Sequence, residues 1–133
     1  STGEGYDKGY EVYQRKWDEK RLYAIKNGGL RDHYDYPIQT VRFGSDLTFV
    51  ALSGETCVDY SLRLKREFGG LGALWVAGYS NDVMAYIPSL RVLKEGGYEG
   101  GGSNVYYGLP ALWHETIEEV IVNAAHETKT AKP

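Results

Sequence analysis

The chain has 133 residues, 42% of them hydrophobic and 25% charged, and a formal net charge of −3. That length suits one domain with one core, the acidic balance gives no electrostatic basis for nucleic-acid binding, and no apolar run reaches the roughly 18 residues that would span a membrane. Cys57 is the only cysteine, which excludes a disulfide within the chain, and the twelve tyrosines, each an apolar ring with a polar tip, point to a wet groove or an interface.

Residues 1–9 are polar and Gly-rich and read as a loose end. The stretch that follows puts Tyr10, Tyr13, Trp17 and Ala24 near one face at helical spacing, and Gly28-Gly29 supplies a C-cap, so a helix is expected over about 8–27. Its apolar stripe is thin, the mark of a helix lying on the surface of something larger. "YPIQTVRF" alternates apolar and polar residues, which suits an edge strand or an extended arm, and "GSD" then makes a turn.

"LTFVALSG" is nearly continuous in apolar and β-branched residues, the pattern of a strand covered on both faces in a parallel sheet, here about 46–52. "ETCVDYSLRLKREF" lines up Cys57, Ser61, Leu64 and Phe68 with charges opposite, which predicts a helix over about 55–68 ended by Gly69-Gly70. "ALWVAGY" is a second continuous strand, about 73–79. Strand, helix, strand in this span is a βαβ unit with parallel strands and a right-handed crossover. The fold class is therefore α/β, a layered sheet with at least one parallel βαβ unit. The stretch 95–104 reads as a Gly-rich loop. A final amphipathic helix is expected over about 113–127, with Trp113, Ile117, Val120, Ile121 and Ala124 as its stripe and "ETKTAKP" as a frayed tail. No internal repeat or domain linker is visible.

In open α/β sheets ligands bind beyond the carboxyl ends of the strands. The first strand ends at "SGE" and the second at "YSND", which puts Glu55 on one rim with Ser80, Asn81 and Asp82, and Tyr86 follows closely enough to fold over it. Each of these also has an ordinary structural reading. A carboxylate is favoured at a helix start, Asn and Asp bond their own backbone in turns, and Tyr86 can be a packed aromatic. The Gly-rich stretch lacks the phosphate-binding pattern, and "HETIE" lacks the second histidine of a zincin because Glu118 stands there. His33 reads as exposed, and His126 lies in a last helical turn, where a cation is favoured. A metal site built from this chain alone would be short of nitrogen ligands.

Taken in order, "LTFVALSGETCVDYSLRLKREF", "VAGYSNDVMAYIPS" and "GGYEGG" resemble the neutral/alkaline ceramidase family and its bacterial ceramidase-like relatives over roughly residues 45–127. The shared pattern is an apolar strand ending in Ser53-Gly54-Glu55, a helix with basic residues, a second strand, Asn81 through Tyr86, and then Tyr98-Glu99. The sequence departs from typical members after Tyr86, where "IPSLRVLKEGG" replaces a Thr-Thr and acidic pair, which puts it in a distant branch.

The resemblance implies a zinc-dependent amidohydrolase that splits an N-acyl amide such as ceramide. It assigns Glu55 and Tyr86 as zinc ligands, Tyr98 as a catalytic group beside the reacting centre and Asn81 as substrate-binding. It also implies two histidine ligands outside this chain, a lipid amide as substrate, and a secreted or periplasmic location. On that reading residues 1–133 are the C-terminal part of a larger catalytic domain, inactive alone and completed by the rest of the domain or by self-association. Two other readings stand beside it: a single stand-alone α/β module whose Tyr-rich rim binds a partner, and a relative that keeps the fold without the metal.

Overall fold

In the computed structural model the described residues are 4–69 and 74–130. The chain is α/β, with helices and a mixed sheet that contains parallel pairs. Strands β1 (Ile38–Phe43), β2 (Leu47–Leu52) and β4 (Leu74–Ala77) form a three-stranded sheet in the order β1-β2-β4. β1 and β2 are an antiparallel hairpin, and β2 and β4 run parallel with Val50 opposite Val76. Helix α2 (Val58–Glu67) lies in the connection between that parallel pair, as the two apolar runs flanking an amphipathic segment predict.

A second, two-stranded parallel sheet joins β3 (Glu55–Thr56) to β5 (Tyr86–Ile87). β3 is the reason α2 starts at Val58 and not at 55. Its backbone is taken up by strand pairing, and Cys57, extended at φ −62° and ψ 152°, is the N-cap. Glu55 is therefore a strand residue, and its position owes nothing to a helix dipole. Gly70 and Ala73, expected at the end of the helix and the start of the strand, lie outside the described residues.

The other expected helices also shift. Helix α1 (Glu4–Lys26) starts earlier than expected, within the stretch read as loose. It leans on the body through Trp17, whose indole Nε1 donates to the Leu109 carbonyl at 2.6 Å, and much of its surface, including Leu22 and Tyr23, remains exposed. The last helix, α5, spans Ile117–Thr130. The turn before it is closed by the Ile117 N–H on the His114 carbonyl at 3.0 Å, which leaves Trp113 outside the helix. The buried face of α5 is Ile121, Val122 and Ala125, and Val120, expected in the stripe, is 62% exposed. The Gly-rich stretch is folded too. Helix α3 (Leu90–Glu95) begins at Ser89, whose Oγ accepts from the Val92 N–H, and a π turn (Tyr98–Gly102) and helix α4 (Asn104–Tyr107) follow.

The core gathers Val50, Leu52 and Leu74 from the sheet, Tyr60 and Leu64 from α2, Ile87 from β5, and Ile121, Val122 and Ala125 from α5. All of it lies on one face of the larger sheet, where Thr40 Oγ1 also meets Thr128 Oγ1 at 2.6 Å. Arg63 of α2 ties Glu67 to Glu118 and Glu119 of α5, and the other Glu118 oxygen accepts the Leu90 N–H at 2.8 Å, so one guanidinium helps to fix three helices.

The opposite face is only partly covered: Ala51 of β2 is buried there, but the neighbouring strands leave apolar side chains in solvent. Val41, Phe49 and Trp75 are direct partners across β1, β2 and β4 and so point the same way. Trp75 is 62% and Phe43 58% exposed, and the Phe49 and Trp75 rings meet edge to face at 6.2 Å. Parallel sheets are normally covered on both faces, and contiguous apolar patches are rare on monomers. Sedimentation velocity over a wide concentration range is expected to show association of the isolated chain that Trp75→Glu relieves. A wild-type chain that stays monomeric throughout would show that this face tolerates water.

Candidate functional site

The site is built where the two sheets meet. The Gly54 N–H donates to the Asp82 carbonyl at 2.7 Å, the Tyr79 N–H to the Gly54 carbonyl at 2.8 Å, and the Ser80 N–H to the Leu52 carbonyl at 3.0 Å. Glu55 then enters the β3–β5 ladder, where its residue partner is Tyr86 and its N–H bonds the Ala85 carbonyl at 2.9 Å. The loop after β4 is thus stitched to the strand end after β2, and Glu55 and Tyr86 stand opposite each other in the ladder.

Gly54 has φ +71°, and a Cβ there would stand 2.6 Å from Ile87 Cγ1 and 2.8 Å from the Ala85 carbonyl oxygen. Only glycine fits a crossing this close. Tyr79 and Asn81 also have positive φ, at 54° and 67°, without being glycine. Such backbone costs on the order of 1–3 kcal/mol per residue and concentrates at functional sites.

The Tyr79 and Tyr86 phenols both feel the Glu55 carboxylate. That interaction is the first cause of a shift in each phenol: losing its proton would place a phenolate beside a carboxylate. Tyr79 is pushed up to about 12, and Tyr86 goes well above the ordinary tyrosine range. Sequence reasoning missed Tyr79. Its position, last in the apolar run and directly before "SND", was the available signal.

Around this pair stand more rings. Tyr98, on the π turn, lies 5.3 Å from Tyr86, and Tyr107, on α4, lies 6.2 Å from it, each at an interplanar angle of 74°. Tyr106 continues the surface to Tyr98 at 6.1 Å and to Tyr13 of α1 at 5.0 Å. Tyr86 is fixed from below by Trp113, whose indole Nε1 donates to the Tyr86 carbonyl at 2.9 Å. Asn81 is carried on the same loop but is exposed, and its side chain makes no hydrogen bond among the described residues. Asp82 accepts the Val83 N–H at 2.7 Å and so serves its own turn.

Within the Gly-rich stretch Gly96 and Gly97 serve positive φ, whereas Gly100 to Gly102 serve packing. A Cβ on Gly100 would stand 2.6 Å from the Val92 carbonyl oxygen of α3, so the π turn that carries Tyr98 lies directly on that helix. A cleft of about 440 Å³ lies elsewhere, between Tyr34, Tyr36, Leu109, Trp113 and Ile117, and neither Glu55 nor Tyr86 lines it.

The carboxylate of Glu55 is a donor that zinc accepts. Imidazoles do not join it. His33 pairs with Asp32 at 2.7 Å, His114 with Thr116 at 2.9 Å and His126 with Glu67 at 2.8 Å. Among the described residues no group of three or more His, Cys, Asp or Glu is placed to hold a metal ion. Comparison with protein families, with characterised proteins and with solved structures finds no match.

Two outcomes follow from this geometry. Gly54→Ala should destabilise the fold by about 1–3 kcal/mol or more in urea unfolding, because Ile87 and the Ala85 carbonyl must both retreat. A second outcome concerns alkaline pH. A raised phenol contributes fully below the ordinary tyrosine value of about 10 and loses that contribution as pH rises through its folded value. Stability should therefore fall between about pH 10 and the folded value of about 12 for Tyr79. In Glu55→Gln the fall should flatten, and the Tyr79 and Tyr86 titrations, followed by NMR of ring-labelled tyrosine, should move down toward about 10. Midpoints that stay where they were would mean that Glu55 is not the cause.

Proposed function

We propose that this chain supplies the oxygen half of a zinc-dependent amide hydrolase of the ceramidase-like type, and that polypeptide outside these 133 residues supplies the imidazoles. The observation that carries the reading is the pairing of Glu55 with Tyr86 in adjacent strands, each fixed through its backbone. A bound zinc ion would lower the pKa of its water toward neutrality and polarise an amide carbonyl.

The residues of this chain have distinct parts in that chemistry. Glu55 and Tyr86 would bind the metal through oxygen. Tyr79, whose phenol also interacts with Glu55, would help to orient that carboxylate. Tyr98, half-exposed and one ring away from Tyr86, is the phenol nearest that pair on the π turn; it would donate a hydrogen bond to the amide as charge builds on oxygen. Asn81, exposed at the rim, would contact the substrate. The substrate class is an N-acyl amide, and a lipid amide fits the apolar tyrosine surface that leads away from Glu55.

Two measurements test this. Zinc titrated calorimetrically into the isolated chain should bind no tighter than the micromolar range, because two oxygen donors make an incomplete site. Tight binding lost in Glu55→Ala would show a complete site within the chain and sink the division of ligands. In a polypeptide that joins this chain to the imidazole-bearing part, Glu55→Gln and Tyr86→Phe should each lower N-acyl amide hydrolysis about 100-fold or more. Full activity in both variants would remove these residues from the site.

A further inference from the structure

Glu55 stands opposite Tyr86 in the β3–β5 ladder, at an aromatic surface, and among the described residues it forms no salt bridge with Lys, Arg or His. The phenols that its carboxylate acts on, Tyr79 and Tyr86, are neutral and leave its charge uncompensated. The rings beside it stand nearly at right angles: Tyr86 meets both Tyr98 and Tyr107 at 74°, with centroids 5.3 and 6.2 Å apart. Tyr79, Tyr98 and Tyr107 are 59%, 50% and 39% exposed, so the ring surfaces are open to a guest.

Three classes of guest can be weighed on these facts. An anion is repelled by Glu55. A purely apolar guest would strip water from a carboxylate without offering it a partner, which is costly. An organic cation satisfies both parts at once, since its charge neutralises Glu55 and its alkyl shell lies on the electron-rich ring faces. Walls of near-perpendicular aromatic rings around an acidic group are the means by which proteins recognise alkylammonium ions.

We infer that Glu55 with Tyr79, Tyr86, Tyr98 and Tyr107 forms a binding site for an organic ammonium group, of the trialkylammonium or methylated-amine class. The site needs no metal. It uses the π faces of Tyr98 and Tyr107, which a zinc ion would leave untouched. The chain's net charge of −3 adds a weak long-range attraction for such a guest.

The test uses choline and its uncharged isostere 3,3-dimethylbutan-1-ol, titrated into the whole chain with EDTA present and followed by the aromatic NMR signals of labelled tyrosine. EDTA separates this site from the zinc reading, so either can fail without the other. Choline is expected to saturate in the millimolar range, and the alcohol to bind about tenfold more weakly or not at all. Tyr98→Leu should weaken choline about three- to fivefold, whereas Tyr98→Phe, which keeps the ring, should hold it within about twofold. Glu55→Gln should weaken it at least as much as Tyr98→Leu, and Tyr107→Leu provides a second ring variant should Tyr98→Leu disturb the π turn. Equal binding of choline and the alcohol would overturn the inference. So would the absence of saturable choline binding, or choline binding that is indifferent to Glu55→Gln and to both ring variants.

Discussion

The structure depends on one close crossing of backbone, at Gly54. Three strand ends meet there, and each is held by main-chain hydrogen bonds: Gly54 to Asp82, Tyr79 to Gly54 and Glu55 to Ala85. A side chain at Gly54 would push Ile87 and the Ala85 carbonyl away. With the crossing intact, Glu55 and Tyr86 fall opposite each other as a consequence of strand register. Backbone register is a stiff way to align two side chains, because shifting it by one residue turns every side chain to the other face.

The rest of the fold divides into a supported side and an open one. The supported side has α2 and α5 over the larger sheet, tied by Arg63 to its three glutamates. Ser89 adds a link at the start of α3. Its hydroxyl donates to Asp59 and accepts the Val92 N–H, and Arg91 pairs with Asp59 at 3.0 Å, which holds that carboxyl below its ordinary range. These contacts fix α3, and through it the π turn that presents Tyr98. The open side carries Val41, Phe43 and Trp75 to solvent. The larger sheet is thus packed on one face and leaves aromatic side chains in water on the other.

Much of this was legible in the sequence, and the exceptions have particular causes. The two continuous apolar runs gave β2 and β4 and their parallel pairing. The "SGE" and "YSND" ends gave the shared rim, and the resemblance named Tyr86 beside Glu55. Two-residue strands carry no periodicity, so β3 was read as helix and β5 went unseen. Helix α3 was missed although Ser89 and Gly96-Gly97 bracket it, because six residues are too few to show a helical period. The stripe of α5 was set one position off because Trp113 was counted as helical, whereas its indole leaves the helix to bond Tyr86. Tyr79 escaped notice although it stands directly before "SND", because a tyrosine that ends a strand reads first as a packed ring.

The three tryptophans happen to sample three separate parts of this architecture. Trp17 is pinned by its indole to the Leu109 carbonyl and reports whether α1 is seated. Trp75 stands in water on the open sheet face. Trp113 is hydrogen-bonded directly beneath Tyr86. Their emission is therefore a composite of one exposed and two hydrogen-bonded indoles. Variants that retain a single tryptophan would resolve it into three optical channels, for helix docking, for the sheet surface and for the floor of the tyrosine rim, with no label added to the protein.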